Sequence, residues 1–321
     1  YDKIPQTLPS GQALTGRLSD KLFFEAKIRS IAEYCGFSEA MTYSFESPKV
    51  FDKLLLKEDD PLRQAIRISN PLGEDFSIMR TSALNGMLTS LGTNFSRRNK
   101  DVMLYELAKI YLPKSLPLEE LPDERVQLIM GFYGDGDFYT MKGAVEEIFE
   151  KLSLQKRISY DDKKDIPFLH PGRRAAVIYD GKEMGFLGEV HPIVAKDYCI
   201  KARAYVANLD LPSLMELSGE SKKYEPIANF PAANRDLSMV VPKALKARDI
   251  EDIFEKKGGA YLEGYRLFDL YEGEQVDAGS KSMAYSLVFR AKDKNLAEED
   301  ITSAMNRILK GLKVLGVTLR A

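Results

Sequence analysis

The sequence runs to 321 residues, 44% hydrophobic and 29% charged, enough chain for two ordinary cores, so two folded domains are expected. A formal net charge of -2 supplies no global basic field, and any nucleic-acid binding must come from a local patch. No apolar run reaches the roughly 18 residues of a spanning helix and no charged-then-apolar leader opens the chain, which makes a cytoplasmic protein with no membrane partner the expectation.

Cys35 and Cys199 stand far apart without disulfide or metal-ligand spacing and read as two buried thiols of a reducing compartment. The chain starts at Tyr1 rather than Met and so reads as a piece of a longer polypeptide. Pro5, Pro9 and Gly11 disfavour a helix, and residues 1–17 are expected to be a linker from a preceding domain. Ser19 then caps a predicted helix in which Phe24, Ile28, Ile31 and Cys35 recur at helical spacing, closed by Gly36. Met41, Tyr43 and Phe45 alternate as a strand over 40–45.

After a turn at Asn70-Pro71-Leu72-Gly73, a helix is predicted over 81–95 on the spacing of Leu84, Leu88 and Leu91. Strands follow over 102–111 and 126–133, then a turn and a helix over 141–152 with Val145, Ile148, Phe149 and Leu152 on one stripe. Strands 175–179 and 184–187 flank the Asp180-Gly181 hairpin signal. Residues 18–217 therefore read as an α+β domain with an antiparallel sheet.

The polar run over 218–224 reads as a linker to a second domain, 225–321. Its elements are predicted in the order strand 237–241, helix 247–257, strand 262–271, strand 281–290, helix 296–315 and strand 317–319, the βαββαβ order of ferredoxin-like folds. Ile301, Met305, Ile308, Leu312 and Leu315 share one side of the last helix, and Asn295 with Glu298 reads as its capping box.

Catalytic chemistry finds little purchase. A Ser/His/Asp arrangement needs a histidine base, and only His170 and His191 exist, each in a His-Pro step that turn formation explains. Two isolated His and two isolated Cys provide no zinc spacing, and neither a P-loop nor a strand-to-helix glycine fingerprint occurs. The paired acids Glu146-Glu147, Asp161-Asp162 and Glu298-Glu299 are consecutive, and a solvated face accounts for them.

The terminal domain offers more, because the two-residue period splits its central hairpin into two faces. Met283, Tyr285, Leu287 and Phe289 suit a core beneath the helices, leaving Ser282, Ala284, Ser286 and Arg290 on the other face. By the same rule Phe268 and Leu270 join the core while Tyr265, Leu267, Asp269 and Tyr271 point outward, with Thr318 and Arg320 on the same side. A small, polar, partly aromatic sheet can stack an unpaired base and bond its edge through Asp or Ser.

The runs Phe230-Pro231-Ala232-Ala233-Asn234-Arg235-Asp236-Leu237-Ser238, Leu267-Phe268-Asp269-Leu270-Tyr271-Glu272-Gly273 and Gly279-Ser280-Lys281-Ser282-Met283-Ala284-Tyr285, with the closing Leu319-Arg320, resemble the ferredoxin-fold anticodon-binding domain of the bacterial phenylalanyl-tRNA synthetase β-subunit family. Ser77-Ile78-Met79-Arg80-Thr81-Ser82-Ala83-Leu84, Asp101-Val102-Met103-Leu104-Tyr105-Glu106-Leu107, Phe168-Leu169-His170-Pro171-Gly172-Arg173 and Gly185-Phe186-Leu187-Gly188-Glu189-Val190-His191-Pro192 are similar to that family's catalytic-like module, a class II synthetase fold.

The resemblance implies a non-catalytic scaffold. A class II ATP site grips triphosphate with an Arg of the motif 2 strand, where this chain reads Leu104-Tyr105-Glu106, and with an Arg of motif 3, for which no Gly-rich segment ending in Arg occurs. It further implies an α subunit docked on the N-terminal helix and following strand in an α2β2 heterotetramer that phenylalanylates tRNA(Phe). ATP and Mg2+ belong to that full complex, with no cofactor, metal or catalytic residue expected here. The family's editing domain and a magnesium site sometimes credited to it lie upstream of these segments. For the anticodon, carry-over points to Asp269 and Ser282, with Tyr271, Arg235 and Arg320 as stacking or phosphate partners. A free-standing RNA-binding or interaction module related to that subunit remains the second reading, and failure to co-purify with an α subunit despite RNA binding would favour it.

Overall fold

A computed structural model describes residues 1–8, 10–11, 16–154, 158–218, 224, 226–273, 276–277 and 279–320. The chain falls into two compact units, Tyr1–Lys222 and Lys223–Ala321. The linker expected at 218–224 lies mostly outside the described residues, as do residues 9 and 12–15 of the one expected at 1–17.

In the first unit α1 (Asp20–Tyr34) begins where Ser19 Oγ accepts a bond from the Leu22 N–H at 3.3 Å, and it ends at Gly36, whose φ of +91° suits a residue without Cβ. The strand expected over 40–45 is not there. Only β1 (Ser38–Glu39) and β2 (Phe45–Glu46) are extended, because Met41 and Tyr43, 92% and 76% exposed, find no core to alternate against. Side chains and single backbone bonds hold this segment instead, as when the Arg80 N–H donates to Ser44 O at 2.9 Å.

After α2 (Val50–Lys53) and β3 (Ile78–Met79), α3 (Leu84–Ser96) starts three residues later than its periodicity implies. The Arg80 backbone is bonded to Ser44 and Tyr111 rather than within a helix, and Thr81 Oγ1 donates to Leu62 O at 2.6 Å. The rest of the unit is β4 (Val102–Leu112), β5 (Asp123–Tyr133), α4 (Phe138–Lys151), β6 (Ser159–Asp161), β7 (Leu169–Tyr179), β8 (Lys182–Val190), α5 (Pro192–Asp197), β9 (Ala204–Asp210) and α6 (Leu211–Leu217). Asp180 and Gly181, at φ +50° and +77°, close the expected hairpin between β7 and β8.

Seven strands form one sheet in the order β1-β4-β5-β9-β8-β7-β6, antiparallel except for β1 beside β4. Helices cover both faces. Phe24, Ile28 and Ile31 of α1 and Val145, Ile148 and Phe149 of α4 pack on Tyr105, Leu128, Met130 and Phe132. On the other face Leu84, Met87, Leu88 and Leu91 of α3 meet Ala108, Ile110, Ile129 and Val206. A Cβ on Gly131 would stand 2.8 Å from Met87 Cγ, so glycine lets α3 settle onto the sheet. The central strand β9 escapes sequence reading because both its faces are buried, which erases alternation.

The two histidines serve turns. His170 Nδ1 accepts from the Gly172 N–H at 3.1 Å, and His191 Nδ1 accepts from the Ile193 N–H at 3.2 Å as the N-cap of α5. The expectation of two buried thiols needs correcting: Cys35 is half-buried, and Cys199 is exposed in a left-handed turn at φ +59° after α5.

The second unit contains β10 (Ala233–Pro242), α7 (Ala247–Lys257), β11 (Leu262–Tyr271), β12 (Ser280–Phe289), α8 (Glu298–Val314) and β13 (Thr318–Leu319) in a sheet ordered β11-β12-β10-β13. That order, with every pair antiparallel, is the ferredoxin-like arrangement. Both helices lie on one face, where Ile250 and Phe254 of α7 and Ile301, Ala304, Ile308 and Leu312 of α8 bury Leu237, Met239, Met283, Tyr285, Leu287 and Phe289. The N-cap of α8 is Ala297 with no side-chain bond, so Asn295 caps nothing. Glu298 does not fold back on the cap because its carboxylate pairs with Arg235 at 2.6 Å.

Candidate nucleic-acid interface

The face of the second sheet turned away from α7 and α8 is set by cross-strand register. Ser282 stands opposite Tyr271 and Val240, and Val240 opposite Thr318. Ala284 stands opposite Asp269 and Ser238, and Ser286 opposite Arg266 and Asp236. Directly opposed residues share a face, so these side chains form one polar grid across four strands.

A bulge decides which residues of β11 reach it. Leu267 pairs with Tyr285 and Asp269 with Ala284, leaving Phe268 as an extra residue. Before the bulge Tyr265 and Leu267 oppose Leu287 and Tyr285 and so turn toward the core, contrary to the simple alternation. Tyr265 packs on Phe254 with ring centroids 5.4 Å apart. After the bulge Asp269 and Tyr271 take the outer face, while Phe268, 49% exposed, is not in the core at all. The inserted residue inverts the parity from Leu267 back to Gly264, where a second register shift restores it.

The grid is not fully open. Arg320 reaches from beyond β13, donating from Nη1 to Ser282 Oγ at 3.2 Å with its guanidinium carbon 5.8 Å from the Tyr271 ring centroid. Under it Ser282 is 3% exposed. Four of the five expected residues, Asp269, Tyr271, Ser282 and Arg320, thus come together. Arg235 does not. It opposes Leu287 on the helix side of the sheet and forks onto Glu298 at the start of α8 with bonds of 2.6 and 2.7 Å. Sequence reading missed Arg266, Asp236 and Ser238, which share the outer face and are exposed.

In the first unit, Tyr105 and Glu106 are already engaged. Tyr105 is buried under α1 and donates to Glu33 Oε1 at 3.1 Å. Glu106 lies on the α3 side, where Arg80 Nη2 donates to its Oε1 at 3.1 Å and Thr42 Oγ1 to its Oε2 at 2.7 Å. A buried carboxylate already bonded by Arg80 and Thr42 does not fit a triphosphate.

Residues 4–211 match the family described as phenylalanyl tRNA synthetase beta chain CLM domain. The chain belongs to the phenylalanyl-tRNA synthetase beta chain family. Residues 228–320 match a second description, ferredoxin-fold anticodon binding domain. Proteins named phenylalanine–tRNA ligase beta subunit are similar along the whole chain: 39% identical in Clostridium acetobutylicum and 38% in Clostridium tetani, each over 100% of this chain and 40% of the relative. The chain therefore spans about two fifths of the length of these relatives. Among solved structures, a pyrrolysyl-tRNA synthetase from Desulfitobacterium hafniense superposes with a TM-score of 0.50 over 60% of this chain and 67% of its own at 14% identity, a likeness of fold.

Within this beta chain fold the most perturbed acid lies outside the predicted site. Burial pushes the Glu46 carboxyl up to about 7, against partial relief from its bond to Asn85 and the charge of Arg80. An unfolded glutamate ionises near 4.5, so the folded state holds the extra proton between those values. The stability this contributes is complete below the lower value and is lost as pH rises through about 7. Glu46→Gln, a neutral mimic, is expected to stabilise the protein at pH 8 by up to about 3 kcal/mol and to change little near pH 4. Thermal unfolding at the two pH values checks this, and an equal shift at both would count against it.

Proposed function

We propose that this chain is the non-catalytic C-terminal part of a phenylalanine–tRNA ligase β subunit, scaffolding an α subunit and binding tRNA(Phe) through its anticodon. The observation that carries the reading is the outer face of the second sheet, where Asp269 and Tyr271 of β11, Ser282 of β12 and Arg320 just past β13 meet. Asp269 would bond a base edge, and Ser282 another once Arg320 swings aside. Tyr271 and the planar guanidinium would stack. Arg235 leaves the set, since its charge is spent on Glu298 across the sheet.

The first unit acts as a body of synthetase shape whose own phosphate-gripping position is occupied by Tyr105 and Glu106. ATP and Mg2+ are then used by the α subunit, in a cytoplasmic α2β2 assembly. The decisive measurement is phenylalanine-dependent ATP–pyrophosphate exchange. None is expected from this chain alone, and exchange is expected when the whole β subunit is combined with α. Exchange by the chain by itself would defeat the reading, and crosslinking of the second unit to an anticodon nucleotide would support it.

A further inference from the structure

We propose that a groove on the first unit receives a basic side chain, lysine or arginine, of the protein that docks there, with Glu46 as its counter-ion; this rests on the reading that an α subunit docks on this unit. The groove encloses about 520 Å³ between the segment after β1, the Asp75–Phe76 turn and the first half of α3. Met41, Tyr43, Phe45 and Phe76 form its walls, all solvent-exposed although apolar, with the Tyr43 and Phe76 rings edge to face at 6.0 Å. Such a cluster of exposed large hydrophobics marks a surface that a partner covers.

The floor selects the occupant. Glu46 is 5% exposed, and its Oε2 accepts from Asn85 Nδ2 at 3.0 Å. Asn85 is itself oriented by the Tyr198 hydroxyl, which donates to Asn85 Oδ1 at 2.7 Å. Among the described residues no other hydrogen bond reaches the Glu46 carboxylate, and the cations nearby are committed elsewhere. Arg80 serves Glu106, Thr42 and Lys109 O; Lys49 lies 3.6 Å from Glu74; and the Lys53 ammonium sits 5.5 Å over the Tyr198 ring. Asp75 adds a further negative charge to the lining.

A purely apolar side chain entering here would finish burying Glu46 with no charge to face it, and an acid would add repulsion. An ammonium or guanidinium passes between aromatic rings that attract it and ends on a carboxylate. Docking then releases the proton that burial keeps on Glu46, so association strengthens as pH rises toward 8.

The test uses the full-length β subunit and its α partner, with association constants measured by sedimentation at pH 6 and pH 8. Wild type is expected to bind about tenfold more tightly at the higher pH, as one proton released through a single site allows. Glu46→Gln is expected to lose that dependence and to bind about ten- to a hundredfold more weakly at pH 8, while being the more stable protein on its own. Tyr43→Ala, at an exposed position, should weaken binding and keep the pH slope. A Glu46→Gln subunit that binds α with wild-type affinity and slope overturns the proposal and leaves the docking reading standing. Failure of the wild-type subunit to bind α at all overturns both.

Discussion

Arg80→Ala is expected to destabilise the first unit by about 3–5 kcal/mol, the cost of stranding a buried charge. Arg80 is 3% exposed and Glu106 is 5% exposed. The guanidinium donates to Glu106 Oε1, to Thr42 Oγ1 at 2.9 Å and, through Nε, to Lys109 O at 2.7 Å, so its loss leaves a carboxylate and a carbonyl without their main donors. The same bonds tie β4 to the irregular segment between β1 and β2, which carries the exposed Met41 and Tyr43. Denaturant unfolding measures the loss. The pair Arg80→Met with Glu106→Leu should recover most of it, since neither charge then remains. A loss below about 1 kcal/mol for Arg80→Ala, the level of a surface pair, would show the network to be marginal.

Asp269→Ala is expected to lower kcat/KM for tRNA about five- to 150-fold while leaving phenylalanine activation unchanged, the range of one lost base contact. Asp269 is exposed at the end of β11, so the substitution removes an acceptor without touching the core. With a tRNA altered in the anticodon, wild type and variant should converge, because the contact has no base to read in either. Arg235→Ala is the contrast. Its guanidinium lies on the helix side of the sheet, and tRNA kinetics should not move. Unchanged kinetics in Asp269→Ala would remove that residue from the interface.

Much of the architecture was legible in residue order. The βαββαβ run, the apolar rows on β12 and α8, the Ser19 cap and the Asp180-Gly181 turn depend on neighbours a few positions apart, and the structure repeats them. Alternation sets Asp269, Tyr271 and Ser282 on one face as the structure has them, since on β11 Asp269 and Tyr271 both lie after the bulge. Tyr265 and Leu267 turn inward and Phe268 outward because one inserted residue shifts the register, and the local sequence has no glycine or proline to announce it. The strand expected over 40–45 failed for a related reason: alternation of Met41, Tyr43 and Phe45 marks one apolar face and is silent on whether this chain or a partner covers it.

What the residues determine alone is the long helices, the hairpins and most of the strands, the turn-forming role of the two histidines, and a C-terminal sheet with one apolar face. Tertiary structure decided the rest. It sent Arg235 to Glu298 and Arg320 to Ser282, joined Arg80 to Glu106 across 26 positions, and put Glu46 at the bottom of an aromatic groove. Caps, turns and periodicity are energies between residues close in the chain. A charge's partner, its burial and the side of a sheet it faces are set by segments that meet only when the cores form.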